Sequence, residues 1–474
     1  MSKPDLTALN RLIDERNDKA QAERIKLFAE LYYDGAPSTD LNARNPEDLY
    51  GATVSCWLFI QKNNIAQPKV RVFNPDFEVH GWQSTHTVIE VLSKEMPFLI
   101  DSVRIELNRR QMSVHSINSC VVHLERDARY KKKSSSPLFK STETSQAEAI
   151  IYIEVDRHTD SDMLDDLSKS LVQIVNEVSH CVEDFSALTD RVIRTSDELS
   201  QLPCDKPKKE IKESQDFLTW LANDHFTFLG CDEFSIERKN GKTYIVRDES
   251  GDLGTFRFRQ VIENRRNLEE LPEEIEAFVL SSDIINFFKS GESSRIHRPA
   301  YPDYIVVKRF NEKGEVIGGV RFMGLYTSIV YIESPNNIPL IRQKLQQIRK
   351  LSGFDKSSHN GKEINRILEA YPRDELIQST SEQLYNTALG ILNIQERRQT
   401  RAFLRKGTYG KFLYCMVYTP RDIYNTELRT KIQNVLEEAC DPQIVEFNTY
   451  FSESILARTH FVLRLKNTES GDVD

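Results

Sequence analysis

The stretch Lys94-Glu-Met-Pro-Phe-Leu-Ile-Asp-Ser102 packs a proline, two carboxylates and a hydroxyl into little more than two helical turns. Proline suits a turn or a helix start and is excluded from a helix interior. Ile100, Val103 and Leu107 then recur at i, i+3 and i+7, one apolar face of an amphipathic helix. A helix N-terminus exposes N–H groups that suit a carboxylate, so the chemistry on offer is non-covalent capture of a small anion. Asp101 and Ser102 fall in the first helical turn. An acidic side chain there complements the helix dipole without any ligand.

Other constellations carry less. No GxGxxG follows a strand-like run, so the chain has no dinucleotide fingerprint. Gly407-Thr-Tyr-Gly-Lys411 lacks phosphate-loop spacing and sits in a hairpin turn, and no GxSxG elbow occurs. The ten histidines are dispersed without metal-ligand spacing. His225, Phe226 and Phe228 could line a pocket, though a half-buried strand explains them more simply. Arg295, His297, Arg298, Lys308, Arg309 and Arg321 form a locally basic region. It could receive an anion, and a solvated face accounts for it equally. Pro420 and Asn425 or Thr426 mark a strand end and a helix N-cap. These patterns predict a chain without catalytic, cofactor-binding or metal residues of its own.

The elements that must hold the turn are strand-like runs, Thr87–Leu92 before it and Val114–Leu124 after it. Ala149–Val155 follows, then a helix carrying Leu164, Leu167, Leu171, Ile174 and Val178. This is βαββα, most of a ferredoxin-like βαββαβ unit. Its fourth strand is either Val54–Ile60 or Val70–Phe73. A low-order loop is expected over residues 131–137 and a linker over 202–209. Between them and the third region, Asn240-Gly241 and Glu312-Lys-Gly314 signal hairpins in a mixed antiparallel domain, with a further strand at Leu325–Ile332. A long helix over Glu375–Gln395 then leads a β-β-α-β-β order that closes as a permuted ferredoxin-like sheet. The expected segmentation is a helical segment 1–45, a first module 46–200, a mixed domain 210–372, a second module 373–466 and a polar tail 467–474.

At 474 residues, several domains of roughly 150 residues are expected. A net charge of −9 spread along the chain argues against a nucleic-acid partner. No apolar run reaches the ~20 residues of a membrane span, and Met1–Lys19 has no secretory apolar core. Seven scattered cysteines without a CxxC read as free thiols of a reducing cytoplasm.

Six stretches, in order, resemble one family. They are Glu95-Met-Pro-Phe-Leu-Ile-Asp-Ser-Val-Arg-Ile-Glu-Leu-Asn-Arg109, Trp220-Leu-Ala-Asn-Asp-His-Phe-Thr-Phe-Leu-Gly230, His297-Arg-Pro-Ala-Tyr-Pro-Asp-Tyr304, Arg321-Phe-Met-Gly-Leu-Tyr-Thr-Ser328, Tyr371-Pro-Arg-Asp-Glu-Leu376 and Val417-Tyr-Thr-Pro-Arg-Asp-Ile-Tyr-Asn-Thr-Glu-Leu428. They are similar to the N-terminal regulatory region of the large, multidomain NAD-dependent glutamate dehydrogenases of bacteria. The resemblance implies an α+β fold, with ferredoxin-like ACT modules flanking a PAS-like antiparallel-sheet domain. It implies a cytoplasmic homo-oligomer whose catalytic domain and NAD site lie outside this chain. The partners implied are that catalytic domain, neighbouring subunits and an amino-acid effector. In ACT modules the effector sits at the first strand-to-helix turn, here Lys94, Met96, Pro97, Phe98, Leu99, Asp101 and Ser102. ACT turns carry a glycine after the proline, and Phe98 departs from that. The alternative is an assembly scaffold that binds no small molecule.

Overall fold

The computed structural model describes residues 4–64, 67–129, 131–132, 141–258, 264–394, 397–452 and 454–466. The low-order loop expected at 131–137 and the polar tail lie almost wholly outside these residues. The chain forms two compact units, residues 1–183 with 294–299, and residues 184–293 with 300–474.

In the first unit, helices α1 (Thr7–Arg16), α2 (Lys19–Tyr32), α3 (Ser38–Asn42) and α4 (Pro46–Phe59) precede strand β1 (Lys69–Phe73) and a short helix α5 (Phe77–His80). Then come β2 (Thr87–Lys94), α6 (Leu99–Arg109), β3 (Val114–Leu124), β4 (Gln146–Val155) and α7 (Ser161–Glu183). The sheet is antiparallel in the order β1-β2-β4-β3. This is the ferredoxin-like order with the outer strand moved to the front of the chain. Lys69–Phe73 therefore fills the fourth place, and Val54–Ile60 does not. Residues 54–59 end helix α4, begun by the Asn45 side chain accepting from the Glu47 N–H and by Pro46 in its first turn.

Strand alternation gives the sheet two buried faces. Val88, Leu92, Val122, Ile150 and Tyr152 join one apolar cluster with Leu9, Ile25, Phe28, Cys56 and Trp57 of the helices. That face also carries three buried glutamates, each met by an arginine. Arg126 is 2.5 Å from Glu148 and Arg44 is 2.6 Å from Glu154, while Arg71 pairs with Glu90. Unpaired, such charges would cost several kcal/mol each by order of magnitude.

The second unit opens with α8 (Phe185–Glu198) and α9 (Lys208–Trp220). Strands β5 (Phe226–Lys239), β6 (Lys242–Gly254) and β7 (Arg265–Asn267) follow, then α10 (Glu273–Leu280), β8 (Ile285–Lys289), β9 (Asp303–Phe310) and β10 (Val316–Tyr326). The sheet is antiparallel, β7-β6-β5-β10-β9-β8. Asn240 and Gly241, with φ of 55° and 76°, make the expected tight turn. The strand expected at Leu325–Ile332 is corrected. β10 stops at Tyr326, and α11 (Ser328–Ile332) is helical. The 202–209 stretch lacks regular structure up to Pro207, yet Leu202 and Cys204 pack on this unit's core.

Helices α12 (Ile341–Ser352), α13 (His359–Glu369), α14 (Arg373–Gln378) and α15 (Ser381–Ile394) come next. The single helix expected at Glu375–Gln395 is thus two. Thr380 and Gln383 cap α15 reciprocally, at 3.0 and 3.2 Å, and break the run. Then follow β11 (Arg401–Lys406), β12 (Phe412–Pro420), α16 (Thr426–Cys440), β13 (Pro442–Phe451) and β14 (Leu456–Leu465), in the order β11-β12-β14-β13. Position for position this repeats the permuted order of the first sheet.

Candidate functional site

The turn between β2 and α6 is shaped by one backbone choice. Phe98 holds φ 68° and ψ −2°, at the N-cap of α6. These angles fit the third position of a type II turn, with Pro97 at the second, a place that favours glycine. So the backbone takes a conformation that favours glycine while the side chain is an aromatic ring.

The remaining expected residues spread around this turn. Met96 and Leu99 are buried in the core and Ser102 is fully buried, whereas Pro97 and Asp101 are exposed. Lys94 projects outward, 3.9 Å from Glu183. The seven residues therefore do not converge on one open pocket. The Ser102 hydroxyl donates to the Phe98 carbonyl at 2.7 Å and accepts from the His297 N–H at 3.3 Å.

Residues Ser294–Pro299 belong to the first unit and meet this turn. The His297 ring lies 4.5 Å from that of Phe98, centroid to centroid. Burial, with the charge of Arg298, holds the His297 imidazole below its ordinary range, against a smaller pull from Asp101. Arg295 reaches the junction of α6 and α7, 3.4 Å from Glu106 and 3.1 Å from the Ser170 hydroxyl. Burial pushes the Glu106 carboxyl up. Hydrogen bonds from Arg109, Arg110 and Ser170, with the charge of Arg295, outweigh it and bring it down to about 2. Nothing in the sequence brings position 297 to position 98, so this contact had no signal.

The other sequence candidates resolve into packing. Phe226 and Phe228 lie in the core against Tyr326 and Phe322. The His225 ring stacks on Trp220 at 4.3 Å. The basic region disperses, with Arg321 on Asp232, Arg309 on Glu233, and Lys308 on the carbonyls of Phe278 and Ser281. Asn425 caps α16, accepting from the Leu428 N–H at 2.8 Å.

Several concavities stand apart from the turn. One of about 530 Å³ in the first unit is lined by Arg44, Trp82, His86, His115 and Glu154, its imidazoles 4.4 Å apart. Another of about 980 Å³ in the second unit is lined by Asn286, Lys344, Thr380, Arg405 and Tyr409. Burial pulls Lys344 down to about 7, while its ammonium donates to the carbonyls of Leu376, Ile377 and Ser379. Among the described residues no group of three or more His, Cys, Asp and Glu side chains is placed to hold a metal ion. None of the described helices is long and apolar enough to cross a membrane.

Comparison with known proteins decides the relationship. Three families match: glutamate dehydrogenase ACT1 domain over residues 28–171, glutamate dehydrogenase helical motif 1 over 338–397, and glutamate dehydrogenase ACT2 domain over 401–474. The NAD-specific glutamate dehydrogenase of Halomonas elongata is 44% identical over 472 residues, 99% of this chain and 29% of that protein.

The chain belongs to the large glutamate dehydrogenase family.

The NAD-specific glutamate dehydrogenase of Pseudomonas aeruginosa is 41% identical over 98% of this chain and 28% of its own length. That of Mycobacterium tuberculosis is 24% identical over 80% of this chain. The chain thus spans under a third of the curated relatives it matches. The portion matched is the N-terminal region of those dehydrogenases. The ACT1 match contains the β2–α6 turn, and the ACT2 match contains the second permuted sheet.

Proposed function

We propose that this chain is the regulatory and assembly region of an NAD-dependent glutamate dehydrogenase. The complete protein would oxidise L-glutamate with NAD and water to 2-oxoglutarate, ammonia and NADH. The observation that carries the reading is the pair of equally permuted ferredoxin-like sheets, one in each glutamate dehydrogenase ACT match. NAD would bind in the catalytic domain, beyond this chain, and the chain alone would be inactive. Seven free cysteines suit a cytoplasmic home.

The effector site in this reading is the turn Lys94, Met96, Pro97, Phe98, Leu99, Asp101 and Ser102, with an L-amino acid as ligand. Its carboxylate would lie at the start of α6, whose free N–H groups favour negative charge. Phe98 and His297 close that approach, so binding requires the ring to move. The middle sheet takes the PAS-like role in this reading. Its support is the order β6-β5-β10-β9-β8, second-first-fifth-fourth-third, which PAS sheets share, with β7 added at the edge. The segmentation at 45, 200, 210, 372 and 466 belongs to the same proposal.

Assembly is supported by apolar side chains left in solvent. Ile444, Phe447, Tyr450 and Phe451 on edge strand β13 are 41–49% exposed, and α16 has no fully buried residue. A neighbouring subunit would cover this edge. The closed state of the Phe98 turn favours a second reading, an assembly scaffold without a small-molecule ligand.

The test is glutamate-dependent NAD reduction by the full-length polypeptide, with each amino acid added in turn, beside Phe98→Gly. An amino-acid response that the substitution changes supports regulation at the turn. Identical responses in both proteins would remove the turn from the regulatory reading.

A further inference from the structure

We propose that Ser294–Pro299 is an intramolecular latch, a piece of this chain that occupies the β2–α6 turn and must lift before that turn can take a ligand. It deepens the regulatory reading above and rests on it for its consequence, though not for its geometry.

Four observations converge on this segment. First, the two residues in ring contact, Phe98 and His297, both hold φ of 68°. Left-handed backbone at two non-glycine residues is strain, and strain of this kind persists only where surrounding contacts impose it. Second, the latch occupies a hydroxyl at the turn and covers its aromatic side chain. The Ser102 hydroxyl already accepts the His297 N–H, and the His297 ring covers the side chain standing in the glycine place. Third, the segment is anchored at a distance from the turn. Arg295 lies against Glu106 of α6 and Ser170 of α7, and Ile296 is buried. Fourth, its anchoring is incomplete. The Arg295 Nε and the His297 Nδ1 are buried without a hydrogen-bond partner. Unsatisfied buried polar atoms weaken a closed state relative to an open, hydrated one.

A contact that is strained, incompletely satisfied and seated at a ligand turn has the character of a bistable element. An entering amino acid would displace the His297 ring and gain the Ser102 hydroxyl. The open latch would release the left-handed His297 backbone from the contacts that hold it. Lifting the segment and filling the turn are then one event, which links ligand binding to the backbone either side of residues 294–299.

Hydrogen exchange on the intact protein tests this without a ligand. The amides of 96–103 and 294–299 should open as one cooperative unit. Arg295→Ala should speed exchange in both stretches at least ten-fold and leave the β2–β4 ladder at its native rate. Faster exchange in 294–299 with 96–103 unchanged would overturn the proposal. If Arg295→Ala disturbs the whole unit, His297→Gly replaces it, since glycine accepts the left-handed backbone and removes only the ring. Paired acceleration of the two stretches supports the latch there too, and uncoupled exchange overturns it. Failure of every amino acid to bind would defeat the effector reading and leave this result standing.

Discussion

Arg405 and Glu375 meet in a two-pronged ion pair, at 2.8 and 2.7 Å, with both side chains largely out of solvent. The pair joins α14 to β11, the first strand of the second ACT sheet. Above it the guanidinium lies 4.3 Å from the Tyr414 ring of β12. Removing one partner of a buried pair strands the other charge, at a cost of about 3–5 kcal/mol. Arg405→Met is expected to destabilise by that amount in denaturant titration. The double variant Arg405→Met with Glu375→Leu should cost less than the single one, because no lone charge remains.

Phe98 offers a test of strain against packing. Phe98→Gly relaxes a left-handed residue, worth about 1–3 kcal/mol, and loses a ring contact worth about 0.5–1.5 kcal/mol. The two nearly offset, so the glycine variant should melt within a few degrees of the native protein. Phe98→Val loses the ring and places a β-branched side chain at positive φ. It should be roughly 2 kcal/mol less stable than the glycine variant.

Glu106 sets a pH dependence whose sign follows from its partners. Burial opposes its charge, and Arg109, Arg110, Ser170 and Arg295 outweigh burial, leaving the carboxyl at about 2 in the folded protein. An unfolded glutamate titrates near ~4.3. A depressed folded value means stability is fully present above pH ~4.3 and is lost as pH falls toward 2. About two units correspond to roughly 3 kcal/mol. Glu106→Gln should flatten stability between pH 4.5 and 2 by an amount of that order, read from urea midpoints at several pH values.

Gly51 explains part of what sequence reading missed. A Cβ at this position would lie 2.2 Å from the Trp82 Cβ, so α4 crosses Trp82 where only glycine fits. Gly51→Ala should therefore destabilise by about 1–3 kcal/mol, through overpacking. Helix α4 is buried on more than one side. Its apolar run Val54–Ile60 shows no clean period, and a short buried helix then looks like a strand. The signal that identifies it is Asn45-Pro46-Glu-Asp48, an N-cap, a first-turn proline and two acidic residues. Thr380-x-x-Gln383 was likewise a readable capping box inside what looked like one helix.

The hairpins, the β2–α6 turn and the permuted second sheet were legible because turn chemistry and amphipathic periods are local. The β2–α6 proline and its apolar stripe gave the turn's position. The fate of the turn was not legible. The separation of Phe98 from His297 along the chain is nearly two hundred residues, and no local pattern encodes that meeting. The three arginine-matched glutamates of the first sheet were missed for the same reason. Their partners come from the α3–α4 connection, β1 and the end of β3, on other elements that only the folded sheet brings to them.

The most direct measurement is a thermal-shift screen of the twenty L-amino acids, with D-enantiomers as controls, on the native protein and on Phe98→Gly. A ligand at 100 times its Kd stabilises by about 2.7 kcal/mol. A regulatory turn closed by Phe98 predicts a stereospecific shift for at least one amino acid in the glycine variant, and a smaller one or none in the native protein. No shift in either protein would contradict the regulatory account and leave an assembly scaffold.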